Sequence, residues 1–211
     1  MSQRGISVEQ ALQLRSESKH LEFKEADNID NLALKLKVIR AMLAMANNQD
    51  GGTIILGIAD DGSQTGCSDD VIKTWAFEDV SEQVSKYADP YVTFDLEVRE
   101  FESRKFIRIY VDEFESVPII CKKDGSYADG KIKSKDVVIL KAGTTYVRSR
   151  KKPESVPIPS QTEMRELLDL AIEKGLRRTI QLMKISGGLE AKVENIREIS
   201  ELQYKKQVGQ L

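Results

Sequence analysis

The sequence is poor in the residues that many metal and disulfide sites require. It contains two cysteines, Cys67 and Cys121, and one histidine, His20. Two cysteines cannot build a disulfide scaffold or a four-cysteine zinc site. A single histidine likewise excludes a histidine-rich metal site. These counts remove the commonest zinc-binding and disulfide-stabilised classes of protein.

Long apolar runs are also absent from the sequence. No run reaches the length that spans a bilayer, and the N-terminal stretch MSQRGISVEQ lacks the apolar region of a signal peptide. We therefore expect a cytoplasmic protein that does not enter the membrane. The 211 residues, 40% hydrophobic and 31% charged, suffice for one sizeable core or for one domain with a small appendage.

Charge is distributed unevenly along a chain whose net charge is only -2. Residues 122–152 contain ten basic and three acidic residues, a balance of +7, and the remainder balances at −9. Such a segment can be a phosphate-binding face or a solvated loop, and the charges alone leave both readings open. The candidate phosphate contacts are Lys131, Lys133, Lys135, Arg148, Arg150, Lys151 and Lys152.

Apolar periodicity and turn residues divide the chain into short helices and strands. Ser7 and Gln10 form a capping box that opens the first helix, and a strand over 20–24 turns Leu21 and Phe23 towards the core. The predicted elements are helices at 7–15, 30–47 and within 68–88, strands at 20–24, 53–59, 117–121, 137–140 and 144–148, and a hairpin of 93–101 and 105–112.

Two segments interrupt this pattern and suggest a domain boundary. Residues 123–135 are polar and contain glycine, which predicts a mobile loop, and the prolines between 153 and 159 indicate a linker. We therefore divide the chain into a domain over 1–159 and a helical extension over 160–211. The extension carries an apolar stripe from Met164 to Met183 and a weaker one over 189–208.

Three carboxylates, Glu17, Glu22 and Asp60, stand at the ends of predicted strands. If those strands are neighbours, the acids can meet and would require a cation, for which Mg²⁺ or Mn²⁺ suits an all-oxygen site. Lys24 would point the same way as Glu22 and could bind a phosphate. A Glu and a Lys two positions apart are also typical of a solvated strand face, and Asp60-Asp61-Gly62 of a simple turn.

Several blocks of sequence resemble motifs of one family. Residues 17–24, ESKHLEFK, closely resemble the E-S-x-x-h-E-F-K block of the Schlafen family, where h is apolar. Residues 44–62 resemble the A-F-A-N-T-x-G-G-x-h-x-h-G-h-x-D block that follows, and Gly66-Cys67 resembles its V-G-C ending. Residues 146–149, YVRS, resemble the Y-h-R-x-G/S signature. The blocks follow the family's order over about residues 8–170, so the chain resembles an AlbA_2, Schlafen-type protein.

This resemblance implies an α+β fold, a mixed β-sheet flanked by helices, followed here by the helical extension. It also implies that Glu17, Glu22 and Asp60 bind Mg²⁺ or Mn²⁺ for cleavage of tRNA or rRNA. Asp61 would replace Asp60 as the third ligand if the turn is offset by one residue. Lys24 and the basic segment would correspond to the family's positively charged groove. The chain departs from the vertebrate members, which have two related lobes and a zinc site, and it contains no phosphate-binding G-x-x-x-x-G-K-[ST] loop.

Three hypotheses about function follow. The first is a metal-dependent endoribonuclease, a toxin or antiviral-defence effector, which acts on RNA in preference to DNA. The second is a non-catalytic DNA- or RNA-binding regulatory module, and the third is a subunit of a larger assembly. Because the chain supplies one lobe and a long apolar stripe, we also expect a homodimer or a hetero-complex built through the C-terminal helices.

Overall fold

The structure, a computed structural model, describes residues 5–14, 16–128 and 136–185. Its helices are α1 (Val8–Leu14), α2 (Leu32–Ala46), α3 (Asp69–Thr74), α4 (Phe77–Ser85) and α5 (Gln161–Ile185). Its strands are β1 (Leu21–Lys24), β2 (Gly52–Leu56), β3 (Ala88–Asp89), β4 (Phe94–Phe101), β5 (Arg104–Val111), β6 (Ile120–Cys121), β7 (Gly125–Ala128), β8 (Asp136–Leu140), β9 (Tyr146–Arg148) and β10 (Ser155–Pro157).

A four-stranded mixed sheet forms the centre of the fold, with strand order β1-β2-β5-β4. β1 and β2 are parallel, whereas β5 is antiparallel to both β2 and β4. The register places Glu22 opposite Ile54 and Lys24 opposite Leu56. Three two-stranded ladders, β10-β9, β3-β6 and β7-β8, accompany this sheet. The predicted α+β class with a mixed sheet and flanking helices is confirmed.

Helices cover both faces of the sheet near β1 and β2. On one face α1 packs in a buried cluster with Leu21, Ile55 and Phe106, and Phe23 is partly buried against it. On the other face α2 lies so close to β2 that a Cβ on Gly52 would sit 2.8 Å from the Met45 side chain. Since side chains alternate along a strand, Glu22 and Lys24 point to the α2 face, away from Leu21 and Phe23.

The capping box predicted for the first helix is confirmed by reciprocal hydrogen bonds. The Ser7 N–H donates to Gln10 Oε1 at 3.0 Å, and the Gln10 N–H donates to Ser7 Oγ at 3.2 Å. These bonds satisfy two backbone donors that a helix start leaves open. The predicted helices within 68–88 and the hairpin of β4 and β5 are also present.

Two segments predicted as irregular contain strands instead. Within the predicted loop 123–135, β7 pairs with β8, and Gly125 packs so tightly that an added Cβ would be 2.7 Å from Leu36 Cδ2. Within the predicted proline linker, β10 pairs with β9. Pro157 is tolerated there because it ends the edge strand of a two-stranded ladder. Residues 129–135 and the predicted second stripe over 189–208 lie outside the described residues.

The chain divides into two compact units, Met1–Leu168 and Asp169–Leu211, and the division falls within α5. The first unit contains the mixed sheet and the residues of the candidate site. The described part of the second unit is the remainder of α5. In the part of the chain that the structure describes, we find no helix long and apolar enough to cross a membrane.

Candidate functional site

Two of the three predicted acids converge on one ammonium group. Lys24 Nζ lies 2.6 Å from Glu22 Oε1 and 3.9 Å from Glu17 Oε1. It also donates to the carbonyl oxygen of Phe23 at 2.8 Å. The strand alternation of β1 places Glu22 and Lys24 on one face, and the Phe23 N–H holds Glu17 nearby through a 2.9 Å hydrogen bond to Glu17 Oε1.

A buried arginine completes the charge balance around Glu22. The Arg148 side chain has no exposed area, and its Nη1 donates to Glu22 Oε2 and, at 3.1 Å, to Ser155 Oγ. Its Nη2 donates to the carbonyl oxygens of Ser18 at 2.8 Å and Leu21 at 3.3 Å. The prediction that Arg148 contacts nucleic-acid phosphate is therefore wrong. Its guanidinium is buried, so it cannot reach a phosphate at the surface and neutralises Glu22 instead.

Glu17 is the more accessible of the two clustered acids. Its side chain is 30% exposed, whereas that of Glu22 is 8% exposed. Partial burial raises the pKa of the Glu17 carboxyl, and the Phe23 hydrogen bond and the Lys24 charge oppose that rise only in part. Glu17 is thus the carboxylate of this cluster that an incoming ligand can reach.

Asp60 lies in the exposed turn after β2, as the sequence predicted for the Asp60-Asp61-Gly62 segment. Among the described contacts, no hydrogen bond or ion pair joins Asp60 to Glu17 or Glu22. Asp61, the alternative to Asp60, accepts a 2.8 Å hydrogen bond from the Ser63 N–H, which stabilises the turn. Hydrogen bonds from the Ser63 side chain and backbone lower the pKa of the Asp61 carboxyl. The structure therefore brings Glu17, Glu22 and Lys24 together and leaves Asp60 apart from that contact network.

The arrangement does not fit a three-carboxylate metal centre. In the described part of the chain, no group of three or more His, Cys, Asp or Glu side chains could hold a metal ion. The two oxygens of Glu22 already face Lys24 and Arg148, so two protein cations neutralise it. A bound Mg²⁺ or Mn²⁺ stays a prediction from the sequence resemblance.

The six other lysines and arginines predicted to contact phosphate fall into two groups, one described by the structure and one outside it. Arg150, Lys151 and Lys152 are exposed in the connection between β9 and β10, while Lys131, Lys133 and Lys135 lie outside the described residues. Arg150 pairs with Glu166, and Lys152 Nζ lies 4.0 Å from Glu154 Oε1. Three exposed positive charges thus begin two residues after the buried Arg148.

Sequence reasoning missed two residues that the structure places at this site. Ser155 on β10 accepts from Arg148, and Lys19, 35% exposed, lies 3.4 Å from Glu166 Oε2. Neither residue carries a local signal: Ser155 acquires its role from the pairing of β10 with β9, and Lys19 acquires its role from Glu166, 147 positions along the chain. The ladder of β9 and β10 brings Ser155 opposite Arg148, and only knowledge of that pairing could have found it.

The fold and site define an α+β domain with a paired acid and base, Glu22 and Lys24, on the first strand of its sheet. A buried arginine from the later hairpin of β9 and β10 pairs with the acid. The profile of the Schlafen AlbA_2 family matches residues 17–157. The chain belongs to this family, which confirms the resemblance seen in its motifs and associates the domain with nucleic acid.

Individual proteins resemble this chain less closely than the family profile does. A search of curated proteins finds no match. One similar solved structure is the crystal structure of the DIP2311 protein from Corynebacterium diphtheriae, with 18% sequence identity and a TM-score of 0.39. The alignment covers 54% of this chain and 24% of that one, so it spans a minor part of the other protein.

Proposed function

We propose that this chain binds nucleic acid through the exposed basic residues Arg150, Lys151 and Lys152. The observation that carries the proposal is their succession in one exposed connection within the family-matched domain. Lysine and arginine contacts to phosphates supply most of the sequence-independent affinity for nucleic acid. We place RNA before DNA because the nuclease-active members of the Schlafen family, which the sequence resembles, cleave tRNA or rRNA.

Paired strands flank the basic connection on both sides. β9 and β10 pair over three residues on each side of the ladder, and Arg148 ties both strands to Glu22 of β1 through its contacts with Glu22 and Ser155. Positive groups held in this way need little ordering when a ligand arrives. The buried pair of Arg148 and Glu22 therefore anchors the two strands that flank the exposed basic residues, although Arg148 itself is not exposed.

The test replaces Arg150, Lys151 and Lys152 with alanine and measures binding to single-stranded and structured RNA over a range of salt. We expect weaker binding to every sequence, because interactions with phosphate carry no base specificity. The slope of log K against log salt should fall by roughly 0.7 for each phosphate of a single strand that the variant no longer neutralises.

The matched control removes the same number of positive charges elsewhere, through alanine at Lys73, Lys86 and Arg99. These side chains are 74%, 43% and 51% exposed, each with one acidic partner. They should leave the salt slope of the wild type unchanged. Equal slopes for the wild type and the first triple variant would show that Arg150, Lys151 and Lys152 are solvated charges without a role in binding.

A second candidate function is metal-dependent cleavage of RNA. The observation that favours it is that Glu17 and Glu22, two of the three acids named by the family motif, lie close together and that Glu17 is 30% exposed, so a ligand can reach it. Cleavage of tRNA or rRNA should then appear with Mg²⁺ or Mn²⁺ and vanish in EDTA and in Asp60→Asn. Binding without cleavage under all these conditions would leave the chain as a non-catalytic binding module.

A further inference from the structure

Glu166 on α5 bridges two cations that come from distant parts of the first unit. Its Oε2 lies 3.4 Å from Lys19 Nζ, and its Oε1 forms an ion pair with Arg150 Nη2. The side chains of Lys19, Arg150 and Glu166 are 35%, 58% and 31% exposed, so solvent reaches part of each, although the Glu166 Oε1 atom itself is buried. One two-oxygen anion thus sits between an ammonium and a guanidinium group.

We propose that Lys19 and Arg150 form a binding site for a phosphate of the nucleic-acid backbone, and that Glu166 competes with that phosphate. The inference rests on the proposed function and extends it to Lys19, which the sequence did not indicate. A phosphodiester resembles Glu166 in carrying one negative charge on two oxygens, and guanidinium groups bind both kinds of anion in the same geometry. Exposed ion pairs are weak, so a phosphate can displace Glu166.

The buried side chains of Asn48 and Arg148 hold the backbone next to both cations independently of Glu166. The Lys19 carbonyl accepts a 3.4 Å hydrogen bond from Asn48 Nδ2, and the carbonyl of the preceding Ser18 accepts from the buried Arg148. Arg150 follows Arg148 by two residues along the chain. Loss of the Glu166 charge should therefore leave the two cations in place and available to a phosphate.

The experiment measures RNA binding by Glu166→Gln, Lys19→Ala, Arg150→Ala and the double variant Glu166→Gln/Lys19→Ala. Glu166→Gln keeps the volume of the side chain and should tighten binding about two- to fivefold at low salt, the range expected when one exposed ion pair is removed. Lys19→Ala and Arg150→Ala should each weaken binding and lower the salt slope by about 0.7. The gain from Glu166→Gln should disappear in the Lys19→Ala background, because coupled residues are not additive.

Glu173→Gln is the matched control. Glu173 also lies on α5 and pairs with Arg177, so its replacement changes the net charge equally without touching Lys19 or Arg150. Circular dichroism of each variant confirms that α5 remains helical. A gain with Glu166→Gln that is absent from Glu173→Gln supports the inference.

The outcomes separate this inference from the proposed function. Equal gains from the two glutamine variants, or RNA binding that is unaffected by Lys19→Ala, would overturn the phosphate site while leaving nucleic-acid binding intact. If no variant, Glu166→Gln included, binds RNA or DNA, the proposed function fails and the phosphate site with it. Binding that appears only after Glu166→Gln would support both and show that the carboxylate blocks the wild-type surface.

Discussion

Glu22 and Arg148 are buried charges separated by 126 positions in the chain. Charged groups leave water at a high cost unless they are paired and hydrogen-bonded. Here Glu22 contacts Lys24 as well as Arg148, and Arg148 also donates to Ser155 Oγ and to the carbonyls of Ser18 and Leu21. The pair therefore joins β1 to the ladder of β9 and β10, a structural role that the motif around Glu22 did not indicate.

We expect Glu22→Gln to lower the free energy of unfolding by about 3–5 kcal/mol, because it leaves the buried Arg148 charge without its partner. Urea denaturation followed by circular dichroism measures this loss. The control is Glu82→Gln, which removes an exposed partner of Lys86 on α4 and should cause no measurable change.

Similar unfolding curves for the two glutamine variants would contradict the structural role of the ion pair. The expected loss also governs how nuclease assays are read. A Glu22 variant that fails to cleave RNA is informative about catalysis only if its folded fraction has been measured. Asp60 is exposed, so an Asp60 variant should remain folded and its activity can be read directly.

At the scale of an element, α2 is fastened at its C-terminal end by the side chain of Asn47. Asn47 Nδ2 donates to the carbonyls of Ile119 at 2.8 Å and Tyr146 at 2.9 Å, and Asn47 Oδ1 accepts from the Ile119 N–H at 2.7 Å. Asn47 is 5% exposed, so water cannot replace these bonds. One amide thus connects α2 to the segment before β6 and to the start of β9.

We expect Asn47→Asp to destabilise the domain by about 2–6 kcal/mol, because two buried carbonyls would be deprived of their donor and would face a carboxylate. The same substitution at the other end of α2, Asn31→Asp, is the control. The Asn31 side chain caps the helix by accepting from the Leu34 N–H, and aspartate is an equally good cap. Its hydrogen bond to the Asp27 carboxylate is exposed, so Asn31→Asp should cost less than about 1 kcal/mol.

Thermal or urea unfolding of the two variants gives both values. A loss from Asn47→Asp no larger than that from Asn31→Asp would mean that the Asn47 bonds contribute little to the attachment of α2. The chemical change is identical at the two sites, whereas the burial of the side chain and its hydrogen-bond partners differ.

At the scale of the whole molecule, α5 presents large apolar side chains to solvent along the described part of the second unit. Ile172, Leu176, Ile180 and Met183 are 59%, 58%, 47% and 48% exposed. These residues belong to the stripe that the sequence predicted from Met164 to Met183. A stripe with this spacing buries its apolar area efficiently against another helix, as the homodimer or hetero-complex predicted from the sequence requires, and of the two we test the homodimer first.

Light scattering at micromolar concentration should therefore give a mass near twice the 23.8 kDa of one chain. Replacing Leu176 and Ile180 with lysine should shift the protein to the monomer mass, because the substitution puts charge into the apolar contact. Val138→Lys, at a 61% exposed site on β8, is the control and should leave the mass unchanged.

A monomer mass for the wild type would contradict the homodimer. The hetero-complex would then be the remaining form of the prediction, and its test would require a purified, defined partner. Neither result bears on the family assignment, which concerns residues 17–157 of the chain.

The sequence by itself determined the local elements and the family. The capping box of Ser7 and Gln10, the alternation of β1 and the hairpin of β4 and β5 are encoded by neighbouring residues, so periodicity and turn chemistry suffice to find them. The motif blocks were equally readable, because each is contiguous. They correctly indicated the Schlafen AlbA_2 family and grouped Glu17, Glu22 and Lys24.

Only the tertiary structure decided which of these charges face solvent. Alternation showed that Glu22 and Lys24 share a face, but not that Glu22 is buried and paired with Arg148. The contact of Lys19 with Glu166 likewise depends on a partner 147 positions along the chain. The physical reason is that burial and ion pairing follow from the packing of distant elements, whereas sequence patterns report the conformation of a residue and its near neighbours.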